Sequence, residues 1–385
     1  MKVRYITHRM GGLPPVENKF GCLTALLKKV LVEGYNEQDI KGISVSEGVT
    51  TVSLKGDHGF LPSQVVTINS KDYRISSVNY NSISIKTTDP LSGEIKGAPL
   101  GFTQVFSDDK ATCFKSAVGH ILKVIDSQPT GYGANWIKYA RVVGGWEIDS
   151  SGNFVDNIKV PRHSNAKYEN IEMTPVDNIA GWLKWDYFGH ENQGGYGENS
   201  ITNRGGTSEW TLVGDDKTFY LFINASSPGE YPNTCVFGSI SDIDTFILVG
   251  SDRFTDWTKG DNRNTANVWR NLFSFVGGDG VYVGPFISND SAGSYLPATN
   301  FSLRALNYGT ERNVANKRTQ DTVISEALVQ EGTALRGFLR GLRFVQSNLE
   351  IPMVTEDYVI FPASRYDTSY YKREPMLYYF PLEDW

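Results

Sequence analysis

The sequence predicts a mainly β fold with a few short helices (a β-rich α+β chain). It divides into a small helix-plus-β-barrel or sandwich module and a larger β-sandwich-like region behind it. Three observations carry this expectation. Four strand-like runs, Val49–Leu54, Gln64–Ile68, Tyr73–Val78 and Ser82–Thr87, recur about every ten residues, the spacing of small barrels and sandwiches. Within them Tyr73/Ile75 and Ile83/Ile85 alternate with polar residues, so one face is apolar. Beyond residue 100 the chain is rich in aromatics and glycine, and helical periodicity is scarce.

In chain order, residues 1–20 carry Gly11-Gly12-Leu13-Pro14-Pro15 and little periodicity. They read as an extended arm, disordered in a monomer or laid across a neighbour in an assembly. Residues 21–98 form the module. Cys22/Leu23, Leu26/Leu27 and Val30/Leu31 make one apolar stripe of a short helix, Lys28 and Lys29 face away, and Gly34 is read as a left-handed stop. A helix of about three turns is not stable alone, so the strands that follow are expected to cover its stripe. Asn79-Tyr80-Asn81 supplies a reversal, Asp89–Gly93 ends the module, and Gly97-Ala98-Pro99 reads as a linker.

Residues 99–365 read as a large β-rich region, one domain or two. Its candidate strands are Ala111–Phe114, Trp136–Val143, Glu209–Ile223, Thr234–Ile240, Thr245–Leu248 and Val281–Val283, with turns at Asp149–Gly152 and Val213–Asp216. Thr265–Phe275 and Ser325–Val329 are the helical candidates. Phe188–Gly206 reads as a long exposed loop, a length that is usually functional or ordered by a partner. No internal repeat is present, which argues against a β-helical spike. Residues 366–385 hold Tyr370-Tyr371 and Leu377–Leu382, too aromatic to remain free, and are expected to dock on their own domain or on an adjacent subunit.

The run GCLTALLKKVLVEGYNEQDIKGISVSEGVTTVSLKGDHGFLPSQVVTI resembles the opening of a broad family of tailed-bacteriophage virion structural proteins. In that family a short helix ending in a VNGF-like turn leads to a strand, a GHGF turn and a small β-module. Trp210–Leu221 and Leu335–Leu342 fit the same picture, so the resemblance spans most of the chain. It implies a part of the virion tail. The member it points to is the non-contractile tail sheath of N4-like short-tailed phages, assembled in the bacterial host cytoplasm.

Composition narrows the alternatives. The 385 residues suffice for two or three domains. A net charge of −6 with 21% charged residues gives no basic footprint for nucleic acid, so no sequence-specific nucleic-acid partner is expected. Three widely spaced cysteines, Cys22, Cys113 and Cys235, imply no disulfide framework and fit a reducing compartment; Cys22, on the apolar stripe, reads as a small core residue. The opening Met1–Met10 has charges inside what would be the apolar core of a signal peptide, and no run of about twenty apolar residues occurs to span a membrane.

Reactive chemistry leaves little trace. G-x-S-x-G, G-x-x-x-x-G-K-[ST], H-E-x-x-H and C-x-x-C are all missing, so no catalytic residue, cofactor or metal is assigned. Gly194-Gly-Tyr-Gly197 neither follows a convincing strand nor opens a helix. Asp215-Asp216 and Asp242-Ile-Asp244 have oxygen ligands to offer calcium, yet read better as acidic turns. Trp182 and Trp185 fit a sugar-stacking platform or, more simply, a sandwich core.

The remaining candidates are surfaces. Arg336, Arg340 and Arg343 read as a subunit interface or as a structural turn, and with Tyr378, Tyr379 and Phe380 they are the interface candidates, since arginine and large aromatics favour such contacts. His190, Tyr196 and Asn199 in the long loop are assigned to a receptor-facing surface. The expected function is a non-enzymatic virion tail component that forms a homo-oligomeric ring and contacts other tail or portal-proximal proteins. A contribution to host-receptor attachment is compatible with it. The alternatives are a carbohydrate- or receptor-binding tail protein and a glycan-degrading one.

Overall fold

A computed structural model describes residues 3–17, 19–127, 139–155, 183–187, 207–223, 233–240, 246–250, 269–274, 281–285, 323–331, 334–346, 353–355, 357–362, 376–383 and 385. The chain is mainly β. Its described strands form a seven-stranded, a five-stranded and a twelve-stranded sheet and one two-stranded ladder, every pairing antiparallel.

The small sheet runs in the order Tyr35–Asp39, Glu94–Gly97, Val65–Ile68, Lys71–Asn79, Ser82–Lys86, Val49–Ser53, Gly42–Ser46. The four strands expected from spacing are all present, within two residues at each end. Alternation sends Val52, Val66, Ile68, Tyr73, Ile75, Ile83, Ile85 and Ile95 into one core, with Phe60 and Leu91 closing it. Glu94–Gly97 was not expected: a four-residue strand containing glycine and lysine carries almost no pattern.

The helix comprises an α segment, Cys22–Lys28, and a wider turn, Lys29–Glu33. Leu23, Leu26, Leu27, Val30 and Leu31 are all buried, as the stripe requires, and Lys28 and Lys29 point outward to Glu33 (3.2 and 2.6 Å). Two expectations are corrected. Gly34 has φ +83 but ψ 177, so it lies outside the left-handed helical well, in a positive-φ conformation open to glycine; a Cβ would also sit 2.7 Å from the Gly97 carbonyl oxygen. The stripe also meets the small sheet only at its edge, through Tyr35. It faces Leu100, Phe102, Phe114, Leu122, Trp185, Trp210 and Phe219 of the larger region. The small sheet closes on its own core, so the larger sheets supply the helix's opposing surface.

Gly97-Ala98-Pro99 is likewise not a linker. Gly97 belongs to a strand, Ala98 is buried, and the amides of Leu100, Gly101 and Phe102 donate to Val30 and Leu31 carbonyls at the helix end.

The five-stranded sheet is a meander, Thr103–Ser107, Ala111–Lys115, Ile121–Ile125, Tyr139–Gly145, Leu183–Asp186. It packs against three neighbouring strands near one end of the long sheet, Trp210–Gly214, Phe219–Ile223 and Asn233–Ser239, joined through Phe114, Leu122, Val142, Trp185, Leu212, Leu221 and Phe237. From there the long sheet continues through Phe246–Gly250, Trp269–Ser274, Val281–Pro285, Val323–Glu331, Ala334–Gln346, Met376–Pro381 and Tyr358–Pro362 to Met353–Val354. Twisted sheets of this length curl, and this one returns onto itself. Leu339, Leu342, Val359, Tyr378 and Phe380 cover the second face of Val213, Tyr220, Phe222 and Val236. Phe219–Ile223 is therefore buried at every position, which explains its unbroken apolar run.

Both helical candidates are corrected. Trp269–Ser274 and Val323–Glu331 are strands, each hydrogen-bonded to neighbours on both sides. Short apolar runs do not separate the two periods, and sheet partners decide. The N-terminal arm is extended but lies on its own chain. Arg4–Thr7 forms the first strand of the long sheet beside Trp210–Gly214, and Val16–Glu17 pairs with Thr207–Ser208.

Candidate functional site

The six residues expected at an interface lie at the curled end of the long sheet and separate into two groups. Tyr378 and Phe380 point into the chain's own core, where Tyr378 stacks on Phe222 (ring centroids 4.9 Å) and Phe380 lies 5.0 Å from Tyr220. As interface residues they are corrected: alternation along Met376–Pro381 turns these two side chains toward the sheet they cover. Arg340 is also committed within the chain. It forms an ion pair with the buried Asp215 at 3.2 Å and donates to the Trp385 carbonyl oxygen. Around it Tyr220 donates to the Arg340 carbonyl oxygen at 2.7 Å and the Trp385 indole donates to the Pro381 carbonyl oxygen at 2.9 Å. Gly341, at φ +70, leaves room for the Trp385 ring.

Arg343 and Tyr379 form the outward group. They are cross-strand partners, Arg343 exposed and Tyr379 half-buried, and Tyr379 stacks on Tyr358 at 5.3 Å. Burial raises the Tyr379 phenol, and Arg343 partly opposes that shift. This face offers two phenols and a guanidinium to a partner. Arg336 lies on the same strand, Ala334–Gln346, but its side chain falls outside the described residues. His190, Tyr196 and Asn199, with the Phe188–Gly206 loop, lie outside the described residues, as do Trp182, Gly194–Gly197 and Asp242–Asp244.

Other polar groups are used for architecture. Asp215 accepts the amides of Lys217 and Thr218 at 2.8 Å, shaping the turn between two strands, so its carboxylate is a turn cap with an arginine partner. Trp185 is fully buried, the simpler of its two readings. Cys22 is half-buried, its Sγ donates to the Glu17 carbonyl at 3.1 Å, and burial pushes its thiol up to about 12, which keeps it protonated and inert.

Two clusters were not foreseen. Arg74 donates to the carbonyl oxygens of Ser63 (2.9 Å), Val3 (3.0 Å) and Leu382 (2.7 Å), and Arg4 pairs with Asp72, which also accepts the Thr67 hydroxyl. Together they fasten the small sheet to the first strand of the long one, Arg4–Thr7, and to the end of Met376–Pro381, which the curl brings beside it. The second cluster is Asp126, at the end of Ile121–Ile125. The helix begins at Gly21 (φ +88) without a side-chain cap of its own, and Asp126 supplies one. It accepts the Thr24 amide at 2.9 Å, with further help from the Gly21 and Leu23 amides, and the Tyr187 hydroxyl donates to its other oxygen. No sequence signal marks either cluster, because the partners are far apart in the chain.

Among the described residues no three or more His, Cys, Asp or Glu side chains gather as a metal site, and no helix is long and apolar enough to cross a membrane. No family model and no curated protein matches the chain.

Proposed function

We propose that this chain is a structural component of a bacteriophage tail, a subunit that assembles in repeated copies as a sheath or ring around the conduit. The observation that carries this reading is the run from Gly21 to Ile68. It resembles the virion family, and its two halves do architectural work: the helix is a wedge between the larger sheets, and the strands belong to a separate small sheet with a core of its own. A protein with its own sandwich core and an attached open sheet offers several faces to neighbours. A ring needs two complementary faces, repeated head to tail. Arg343, Tyr379 and Tyr358 are the residues assigned to one of them, since arginine and tyrosine together are favoured in subunit contacts.

The role is mechanical: to surround the conduit and hold appendages, with host-receptor attachment as an added task of exposed loops. Electron microscopy of particles made without this protein is expected to show missing or shortened tails. Intact, infectious tails would remove the proposal. The glycan-binding alternative loses Trp185, which is enclosed in the core. Binding of the purified chain to host surface polysaccharide would revive it, and release of reducing sugar would favour the glycan-degrading alternative.

A further inference from the structure

Gly42–Ser46 is the last strand at one end of the small sheet. Val49–Ser53 pairs with one side of it, and among the described residues no strand pairs with the other. Free edges invite pairing with another chain, and proteins commonly blunt them with a charge or a proline. Gly-Ile-Ser-Val-Ser carries neither, and Ile43 and Val45 are 39% and 58% exposed.

We propose that this edge pairs with the same edge of a second copy of the chain, antiparallel, about a two-fold axis at Ser44. Backbone parity sets the register. Glu47 (φ +51) and Gly48 (φ +77) make a two-residue hairpin turn, so Ser46 and Val49 exchange both of their hydrogen bonds. Alternation then directs the Ser44 amide and carbonyl toward Thr51 and leaves those of Ile43 and Val45 on the free edge. A two-fold axis at Ser44 places Ile43 of each copy opposite Val45 of the other, so all four outward residues bond and their side chains form one apolar stripe. It also brings Lys41, just before the strand, near Glu47 in the hairpin turn at both ends, so opposite charges approach each other twice. Both side chains are exposed; Lys41 leans on Asp39 at 3.2 Å, itself mostly in solvent. Of the two-fold registers that parity allows, this one alone overlaps the whole strand and matches charge at both ends.

Such a contact closes on itself and yields a dimer, distinct from the head-to-tail contact of a ring. It does not depend on the virion reading, and its test needs no particles.

Sedimentation velocity of the full chain across micromolar concentrations is expected to show a monomer–dimer equilibrium. Lys41→Glu or Glu47→Lys alone places like charges together twice and is expected to raise the dimer Kd by about tenfold. The double variant K41E/E47K restores opposite charges and is expected to return the Kd to within about threefold of the parent. Under mild oxidation Ser44→Cys is expected to cross-link two copies, since Ser44 faces itself, whereas Ser46→Cys faces Gly42 and is not. A chain that stays monomeric over this range overturns the proposal. So do single reversals that leave a dimer unchanged, a double variant that fails to recover, or equal cross-linking at positions 44 and 46. The substituted side chains are all exposed, so folding is preserved, and circular dichroism of each variant verifies it.

Discussion

Replacing Asp126 probes the joint between the helix and the five-stranded sheet. Its carboxylate holds the first turn of the helix by the Thr24 amide and accepts the Tyr187 hydroxyl, with the side chain almost removed from water. Asp126→Ala deletes the cap, worth roughly 1–2 kcal/mol, and strands the Tyr187 hydroxyl, at about 1–3 kcal/mol for a buried polar group. The sum is a loss of about 3 kcal/mol, a shift in the urea midpoint at constant m. Asp126→Asn keeps an acceptor for Thr24 and is expected to lose only about 1 kcal/mol. Its pH dependence is the sharper test. Burial raises the Asp126 carboxyl above the ordinary 3.8, against the opposing pull of the helix amides. A raised folded value means the protonated form is favoured on folding. The linked stability is therefore complete below 3.8 and is lost as pH rises through the folded value. The amide of the Asp126→Asn variant does not titrate, so its deficit should shrink between about pH 4 and neutrality. A deficit that grows with pH would show that the amides outweigh burial, and an Ala variant within about 0.5 kcal/mol of the parent, the scale of a surface change, would refute the capping role.

Three further outcomes follow from the same geometry. Gly341→Ala drives a Cβ into the Trp385 indole at a backbone angle that only glycine adopts readily, and is expected to cost about 2–3 kcal/mol in chemical denaturation and to red-shift the tryptophan emission. Ser70→Gly relieves a positive φ (+61) in the tight turn after Ile68, leaving Asn-Gly where the hairpin prefers it, and is expected to raise stability by about 0.5–1 kcal/mol in the same assay. Arg343→Ala with Tyr379→Ala is expected to leave the monomer within about 1 kcal/mol of the parent while abolishing incorporation into tails, read by complementation; normal incorporation would remove this face from the assembly contact.

Period-2 alternation made Tyr73/Ile75 and Ile83/Ile85 legible, because each strand buries one face and the reversal at Tyr80-Asn81 is two residues long. Where strands are buried on both faces the alternation disappears, so Trp210–Gly214 and Phe219–Ile223 were told apart only by the acidic turn between them, which Asp215 caps. Thr103–Ser107, as short as Ser82–Lys86, buries none of its residues and so left no apolar pattern to read. The helix was legible as a stripe, but which surface it meets was not: Leu26 and Leu27 have no local marker for Phe114 or Trp210. At the candidate site, Arg340 was found by composition and its direction was missed. Its partner Asp215 lies far away in the chain, and only the curl of the long sheet brings them together.

The most direct measurement of the central claim is the copy number of this chain in purified particles, by quantitative mass spectrometry with immunogold labelling. A structural tail subunit predicts several copies per particle, in fixed ratio to other tail proteins and labelled on the tail. A chain absent from the particles, or present in variable trace amounts away from the tail, would contradict it.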